Sequence, residues 1–180
     1  MKTVGSKHLI FLPHQLKRGL MILAFACAYA GQAQNYQLHS VYLYSFTRYV
    51  QWPEEMAKGA FLITVLGESP IYDELLHMAE VKKVGDRPII VSRVPSAADV
   101  KQCNILFVPA DKSAQLAEVL AKIGSGPTLV VTEQPGLSAK GSAINFVNKD
   151  GKLAFELNQS TLNKHKLKAS TELTKLAILI

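Results

Sequence analysis

Short apolar runs alternate with amphipathic segments along the middle of this chain. The runs at 61–66, 89–94, 104–108 and 128–132 have the length and the β-branched content of buried strands. Ser69 and Pro70 predict the start of a helix that continues to residue 78 with Leu75, Leu76 and Met78 turned inward. A helical turn at 97–101 and a helix at 113–123 separate the later runs. Apolar strands separated by helices are typical of a parallel sheet covered on both faces.

The pattern changes after residue 142. Two strand-like runs, 143–147 and 152–157, are joined by Asn-Lys-Asp-Gly, and Asp-Gly in a tight connection favours an antiparallel hairpin. Asn158 or Ser160 is predicted to begin a short helix, and Ser170 or Thr171 to begin a last helix that runs over 172–180. The sequence therefore predicts a single α/β domain, with a mainly parallel sheet flanked by helices and a C-terminal antiparallel hairpin.

Residues 41–53 hold the only Trp of the chain and three of its six Tyr, and the stretch ends at Pro53. The 3.6-residue period lets one broad helical face carry Leu38, Tyr42, Phe46, Tyr49 and Trp52. Pro53 disfavours helical geometry at the residue before it and so ends the helix. The favoured interpretation is a first helix that buries aromatic surface against the sheet. A binding face on the same helix is the alternative.

The N-terminal segment has the pattern of a secretory signal peptide. Basic residues precede an apolar run at 20–30, and no acidic residue occurs before Glu54. The apolar run is shorter than the roughly 20 residues that a membrane span needs. Residues 1–33 are therefore predicted to be a signal peptide cleaved after Ala30 or Ala33, which leaves a domain at 34–180 that is exported to the periplasm. An uncleaved anchor, and a lipoprotein modified at Cys27, are less favoured alternatives.

Charge and candidate chemistry narrow the class of function. Removing residues 1–33 takes away four of the 20 basic residues and none of the 14 acidic ones, which leaves a net charge of +2. Such a domain lacks the large positive net charge that is typical of nucleic-acid-binding domains. The basic clusters at 82–83 and 164–168 are therefore interpreted as solvated faces rather than phosphate sites. After cleavage the predicted protein has no membrane span.

No nucleophile with a nearby base, metal-ligand spacing or phosphate-binding loop is evident in the sequence. His39, His77 and His165 are isolated in sequence and are interpreted as surface or capping residues. Cys103 is the only cysteine left after cleavage, and its place beside an apolar run favours an inert buried thiol. We therefore expect a protein that is not an enzyme, with no catalytic residues, no metal site and no cofactor.

Two stretches carry candidate binding residues. The run Phe-Glu-Leu-Asn at 155–158 alternates apolar and polar residues, so Glu156 and Asn158 are predicted to share a polar face. Solubility of an edge strand, with Asn158 as an N-cap, is one interpretation of that face, and partner recognition is the other. On the aromatic helix, Tyr49 and Trp52 are candidate partner-binding residues, and Arg48 is a candidate ligand-binding residue.

A series of motifs in this order resembles the YfiR family of small periplasmic proteins. The motifs are the aromatic helix with Tyr44, Phe46, Arg48, Tyr49 and Trp52-Pro53, a strand 61–67 ending in Gly, Gly85-Asp86-Arg87-Pro88, the strand 103–107, the run 141–146 leading into 151–158, and 173–177. Each motif is short, but together they extend over residues 36–180. The family often has paired cysteines, and the single Cys103 departs from that pattern.

The resemblance implies a regulatory binding protein that represses a membrane-bound diguanylate cyclase and so lowers cyclic-di-GMP signalling and biofilm formation. The implied partner is the periplasmic region of an inner-membrane cyclase. A homodimer is left open. The alternative function is a periplasmic small-molecule sensor or transport accessory module, in which Arg48 and the aromatic helix form part of a pocket.

Overall fold

The computed structural model describes residues 36–180, and the predicted signal peptide and its cleavage site lie outside these residues. Helix α1 spans 36–49. The other helices are α2 Ile71–Val81, α3 Leu116–Ile123, α4 Gln159–Lys164 and α5 Thr171–Leu176. The strands are β1 Val50–Gln51, β2 Phe61–Leu66, β3 Lys83–Val84, β4 Arg87–Val94, β5 Ile105–Val108, β6 Leu129–Thr132, β7 Ile144–Lys149, β8 Lys152–Leu157, β9 Lys168–Ala169 and β10 Ile178–Leu179.

Eight of these strands form one mixed sheet in the order β10-β8-β7-β6-β5-β2-β4-β3. Strands β4, β2, β5, β6 and β7 are parallel, whereas β7 pairs with β8 in antiparallel fashion. The predicted fold class, a single α/β domain with a C-terminal antiparallel hairpin, is confirmed. Strands β2, β5 and β6 are buried on both faces and are apolar almost throughout, whereas most residues of β4 are partly or fully exposed.

The hairpin turn forms at Asp150 and Gly151, where Lys149 pairs with Lys152. Both turn residues have positive φ, 53° and 76°. Glycine adopts this region freely and aspartate tolerates it better than most residues, as a tight primed turn requires. Asn148 closes the turn, because its Oδ1 accepts a hydrogen bond from the Gly151 N–H at 2.9 Å.

The sheet separates two apolar clusters, which define its two faces. On the α1 face, α1 and α2 cover the strands with buried residues that include Leu43, Phe46, Ile71 and Leu75. On the α3 face, Leu116 and Val119 of α3 pack against a smaller cluster that includes Cys103. Neighbouring residues of one strand point to opposite faces, so each central strand contributes to both clusters.

Helix α1 is rotated and shortened relative to the sequence prediction. Its buried stripe is His39, Leu43 and Phe46, while Leu38 is 44% exposed and Tyr42 is only half-buried. Leu43 and Phe46 take the centre of the contact because they carry no polar group, whereas the tyrosine hydroxyls need water or a polar partner at its rim. The helix also ends before Pro53, since Val50–Gln51 extends to pair with β9.

The region after the hairpin also differs from the prediction. The last helix ends at Leu176 instead of Ile180, and Ile178–Leu179 forms β10 beside β8. An extended segment satisfies backbone groups of β8 that a helix would leave unpaired; the Ile180 N–H, for example, donates to the Leu157 carbonyl at 3.1 Å. In α2, Leu76 is 37% exposed rather than inward, whereas Leu75 is buried.

Candidate partner-binding surfaces

The predicted binding residues fall on the two opposite faces of the sheet. Arg48, Tyr49 and Trp52 belong to the end of α1 and the segment after it. Glu156 lies on the other side, because its strand neighbours Phe155 and Leu157 belong to the cluster under α1. The structure therefore does not bring these residues into one site.

Trp52 joins the end of α1 to the sheet. Its ring is half-buried and meets Phe61 edge to face, with 5.1 Å between ring centroids. Its Nε1–H donates to the Asn104 carbonyl at 3.2 Å, just before β5 begins. The residue is therefore a structural anchor that still exposes part of its ring.

Arg48 and Tyr49 form a small cation–π pair on the surface. The Arg48 guanidinium lies 5.9 Å from the centroid of the Tyr49 ring, and Arg48 is exposed. The Tyr49 carbonyl accepts a hydrogen bond from the Ser170 N–H at 2.8 Å, which holds α1 against the β9 segment. Their predicted roles in ligand and partner binding stay predictions.

The alternating pattern at 155–158 is typical of an edge strand, but Glu156 does not lie on an open edge. Strand β10 covers that edge, with Ile178 opposite Glu156. The half-buried carboxylate accepts hydrogen bonds from Ser138 Oγ at 2.5 Å and Asn145 Nδ2 at 3.0 Å. Asn145 is held in turn by the Thr132 hydroxyl, which donates to its Oδ1 at 2.7 Å. Oε2 of Glu156 is thus engaged within the domain.

Asn158 is the N-cap of α4, as the sequence predicted. Its Oδ1 accepts a hydrogen bond from the Thr161 N–H at 3.0 Å, and its Nδ2 donates to the Ser138 carbonyl at 3.0 Å. The residue therefore orders the start of α4 and joins it to the turn that holds Ser138. A contact of Asn158 with a partner stays a prediction.

The first turn of α1 carries a polar cluster that the sequence analysis did not predict. Glu133, directly after β6, accepts hydrogen bonds at Oε1 from the Tyr36 hydroxyl at 3.1 Å and from the Ala110 N–H at 3.0 Å. His39 Nε2 lies 3.7 Å from its other oxygen. Burial, and then the Glu133 carboxylate, raise the pKa of Tyr36 to about 12. These residues are far apart in sequence, so no local motif marks them.

Among the histidines and the cysteine of the described residues, His77 alone is exposed and the others are buried. His39 is buried against the Phe146 ring, so its interpretation as a surface or capping residue is wrong. His165 follows α4 as a cap but is also buried, with Nδ1 2.9 Å from the Gly126 carbonyl oxygen. His77 is exposed. Burial raises the pKa of the Cys103 thiol to about 11, so little thiolate exists at neutral pH.

Several large apolar side chains remain on the surface. Leu38 and Val41 lie one turn apart on the outward side of α1, where both are about half exposed. Leu176 and Leu179 are exposed beside the outer edge of the sheet. Within residues 36–180 no group of His, Cys, Asp and Glu has a metal-binding arrangement. No helix in the same part of the chain is long and apolar enough to cross a bilayer.

Comparison with known proteins identifies the family. A family model described as YfiR/HmsC-like matches residues 36–178, which is nearly all of the domain described above. Comparison with curated proteins finds no match. YfiR-like proteins are periplasmic regulators of diguanylate cyclases, and the family is regulatory rather than catalytic. The chain belongs to the YfiR/HmsC-like family.

Proposed function

We propose that this protein is exported to the periplasm, where it represses a membrane-bound diguanylate cyclase by binding the periplasmic region of that enzyme. The family match over residues 36–178 is the observation that carries the proposal. In this function the protein is not an enzyme, and its effect on cyclic-di-GMP comes from binding alone. Repression requires the bound protein to favour the inactive state of the cyclase, typically by about 1–3 kcal/mol of coupling free energy.

The outward side of α1 is the best candidate for the cyclase contact. Leu38 and Val41 are exposed there although they are apolar, and the partly exposed rings of Tyr49 and Trp52 follow at the end of the same segment. Tyrosine and tryptophan are enriched among the residues that supply most of the energy of protein interfaces, and exposed apolar side chains beside them are typical of interaction sites. Glu156 and Asn158 act in this proposal by ordering the opposite face rather than as the main contact.

Deleting the gene tests the function. We expect the deletion to raise cyclic-di-GMP and surface attachment, and to have no effect in a strain that also lacks the cyclase. The wild-type gene supplied in trans should restore the low level. If cyclic-di-GMP stays unchanged in the deletion strain while the cyclase is present and expressed, the repressor function is wrong and the small-molecule sensor becomes the better hypothesis.

A pair of surface variants tests the contact. Leu38→Ser with Val41→Ser should leave thermal unfolding nearly unchanged but should fail to restore repression, because these side chains are already exposed. The matched control is Leu76→Ser with Leu176→Ser, which removes two exposed apolar side chains from α2 and α5. Equal repression by both variants would show that the outward side of α1 is not the contact.

A further inference from the structure

The exposed lysines of this domain are concentrated at one edge of the eight-stranded sheet. We call this the amino edge. It is the end of the sheet at which the parallel strands β2, β4, β5, β6 and β7 begin, and not one of the two outer strands. Its exposed lysines are Lys58, Lys82, Lys83, Lys101, Lys122, Lys164, Lys166 and Lys168. The two clusters that looked like separate solvated faces in the sequence therefore belong to one surface.

Contacts in the fold locate both clusters at this edge. Lys83 pairs with Pro88 at the start of β4. Lys164 and Lys166 flank His165, whose ring contacts the Gly126 carbonyl shortly before β6 begins. Lys168 pairs with Gln51, and the next residue of that segment, Trp52, donates to the Asn104 carbonyl just before β5.

The two edges of the sheet differ in how their charges are paired. At the opposite edge, where the parallel strands end, Arg93 forms an ion pair with Glu68, and Lys112 with Asp111. Within residues 36–180, no amino-edge lysine takes part in an ion pair. Six exposed acids, Glu54, Glu55, Glu80, Asp86, Asp99 and Glu172, also lie near this edge, and they are fewer than its eight exposed lysines.

We propose that the amino edge is a docking surface for an anionic phospholipid bilayer. The lysines come from several loops and helix ends and do not line one groove, so they suit mobile headgroups better than a single rigid ligand. Val81, which precedes Lys82, is 75% exposed and supplies an apolar side chain beside the basic ones. Each basic residue near an anionic membrane surface increases binding by about fivefold.

This surface gives the domain a defined orientation. With the amino edge on the bilayer, the start of α1 lies away from the membrane, because Tyr36 contacts Glu133 after the end of β6. Leu38 and Val41 therefore stay open to a neighbouring protein, whereas Trp52 lies at the end that faces the membrane. The inference is independent of the proposed repression, because lipid binding needs no cyclase. A failure of either one can therefore be recognised separately.

Vesicle co-sedimentation tests the proposal. The exported protein, purified from the periplasm, is mixed with vesicles of equimolar phosphatidylglycerol and phosphatidylcholine, and separately with vesicles of phosphatidylcholine alone. We expect binding to the anionic vesicles only, with affinity that falls as salt is added, since exposed charges are screened over about 10 Å at 0.1 M salt. The neutral vesicles also detect any binding through an uncleaved apolar N-terminus. No sedimentation with the anionic vesicles would overturn the proposal.

Paired variants test the location of the surface. Lys82→Gln with Lys83→Gln, and Lys164→Gln with Lys168→Gln, should each weaken vesicle binding by about 30-fold. The control, Lys149→Gln with Lys152→Gln, removes the same charge at the hairpin tip. That tip lies at the far edge, about 20 Å away along the strands, so the control should change binding less than about twofold.

Two results would contradict this location. An equal loss in the control pair would mean that net charge, and not the amino edge, determines binding. Loss of binding to the cyclase's periplasmic region in the Lys82 and Lys83 variant, without any vesicle binding by the wild type, would make the edge a contact for an acidic protein surface. Either result overturns the lipid proposal. Thermal unfolding of each variant should match the wild type.

Discussion

Strands β7 and β8 present different chemistry to the two faces of the sheet. On the α1 face, the rings of Phe146 and Phe155 lie 5.9 Å and 5.2 Å from the Phe46 ring, centroid to centroid. On the α3 face, the adjacent residues Asn145 and Glu156 are joined by a hydrogen bond. One pair of strands thus supplies an aromatic core on one side and a polar network on the other.

The two faces contribute to the fold in different ways. Burial of aromatic rings stabilises the fold mainly in proportion to the apolar area removed from water, and the ring geometry adds a smaller contribution. A half-buried carboxylate contributes little net free energy, but it is costly when its donors are left unpaired. We therefore expect the α1 face to determine how stable the domain is, and the α3 face to determine how the turn at Ser138 and the start of α4 are positioned.

The largest expected effect is on the aromatic face. Phe46 is fully buried, so Phe46→Ala should lower the free energy of unfolding by about 3–5 kcal/mol. Leu38→Ala on the exposed side of the same helix is the control and should cost under about 1 kcal/mol. Urea denaturation of both variants measures the difference. Similar losses in the two would contradict the orientation of α1.

Trp52→Ala should have a smaller effect, because the indole is half-buried. We expect a loss of about 2 kcal/mol, below the 3–5 kcal/mol that full burial of a large aromatic side chain would give. Trp52→Phe keeps the ring contact with Phe61 but removes the Nε1 donor to Asn104, and so separates the two contributions. An unchanged denaturation midpoint in the alanine variant, with lost cyclase binding, would make Trp52 an interface residue only.

Charge reversal at Glu156 tests the polar face. Glu156→Lys should cost about 2 kcal/mol, because Ser138 and Asn145 lose a charged acceptor. Glu156→Gln keeps one carbonyl acceptor and should cost less. Thermal unfolding of both variants, compared with Lys149→Glu at the exposed hairpin, measures this. An undisturbed melting temperature in Glu156→Lys would show that the network is dispensable.

The smallest effect at neutral pH concerns Tyr36, the polar corner of the α1 face. The pKa of Tyr36 is raised from 10 to about 12, chiefly by burial. The folded state therefore holds this proton more tightly than the unfolded state does. Its contribution to stability is complete below pH 10 and is lost as pH rises towards about 12.

Tyr36→Phe should reduce that alkaline loss of stability. The free energies of unfolding of the two proteins, measured from neutral to strongly alkaline pH, should converge as pH rises above 10. A constant difference over this range would contradict the raised pKa. Absorbance titration gives a second check, because one tyrosine fewer should titrate near pH 12 in the variant.

Elements with a strong local signal were predictable. The four apolar runs became strands β2, β4, β5 and β6, and Asp150-Gly151 formed the hairpin turn. Ser170 caps α5, since its hydroxyl accepts a hydrogen bond from the Leu173 N–H at 3.2 Å. Such features depend on neighbours within a few residues, so the sequence contains the information directly.

Features that depend on distant partners were not predictable. Strand β10 forms because β8 offers an open edge, and β1 forms because β9 lies beside it. The contact of Tyr36 with Glu133 joins residues that are 97 positions apart. The sequence prediction placed Leu38 and Tyr42 on the buried face of α1, whereas the structure buries Leu43, because the buried stripe is set by the strands that the helix packs against.

The sequence by itself determined the class of fold, the central strands with the helices between them, the hairpin and the family. These follow from local propensity, from hydrophobic period and from motif order, all of which are properties of neighbouring residues. Only the tertiary structure decided that the carboxylate of Glu156 turns inward to Ser138 and Asn145, and that the lysines of two separate clusters share one edge. The physical reason is that the burial of a side chain, its hydrogen-bond partners and the surface charge around it depend on which strands become neighbours. No local stretch of the sequence determines the order of the strands in the sheet.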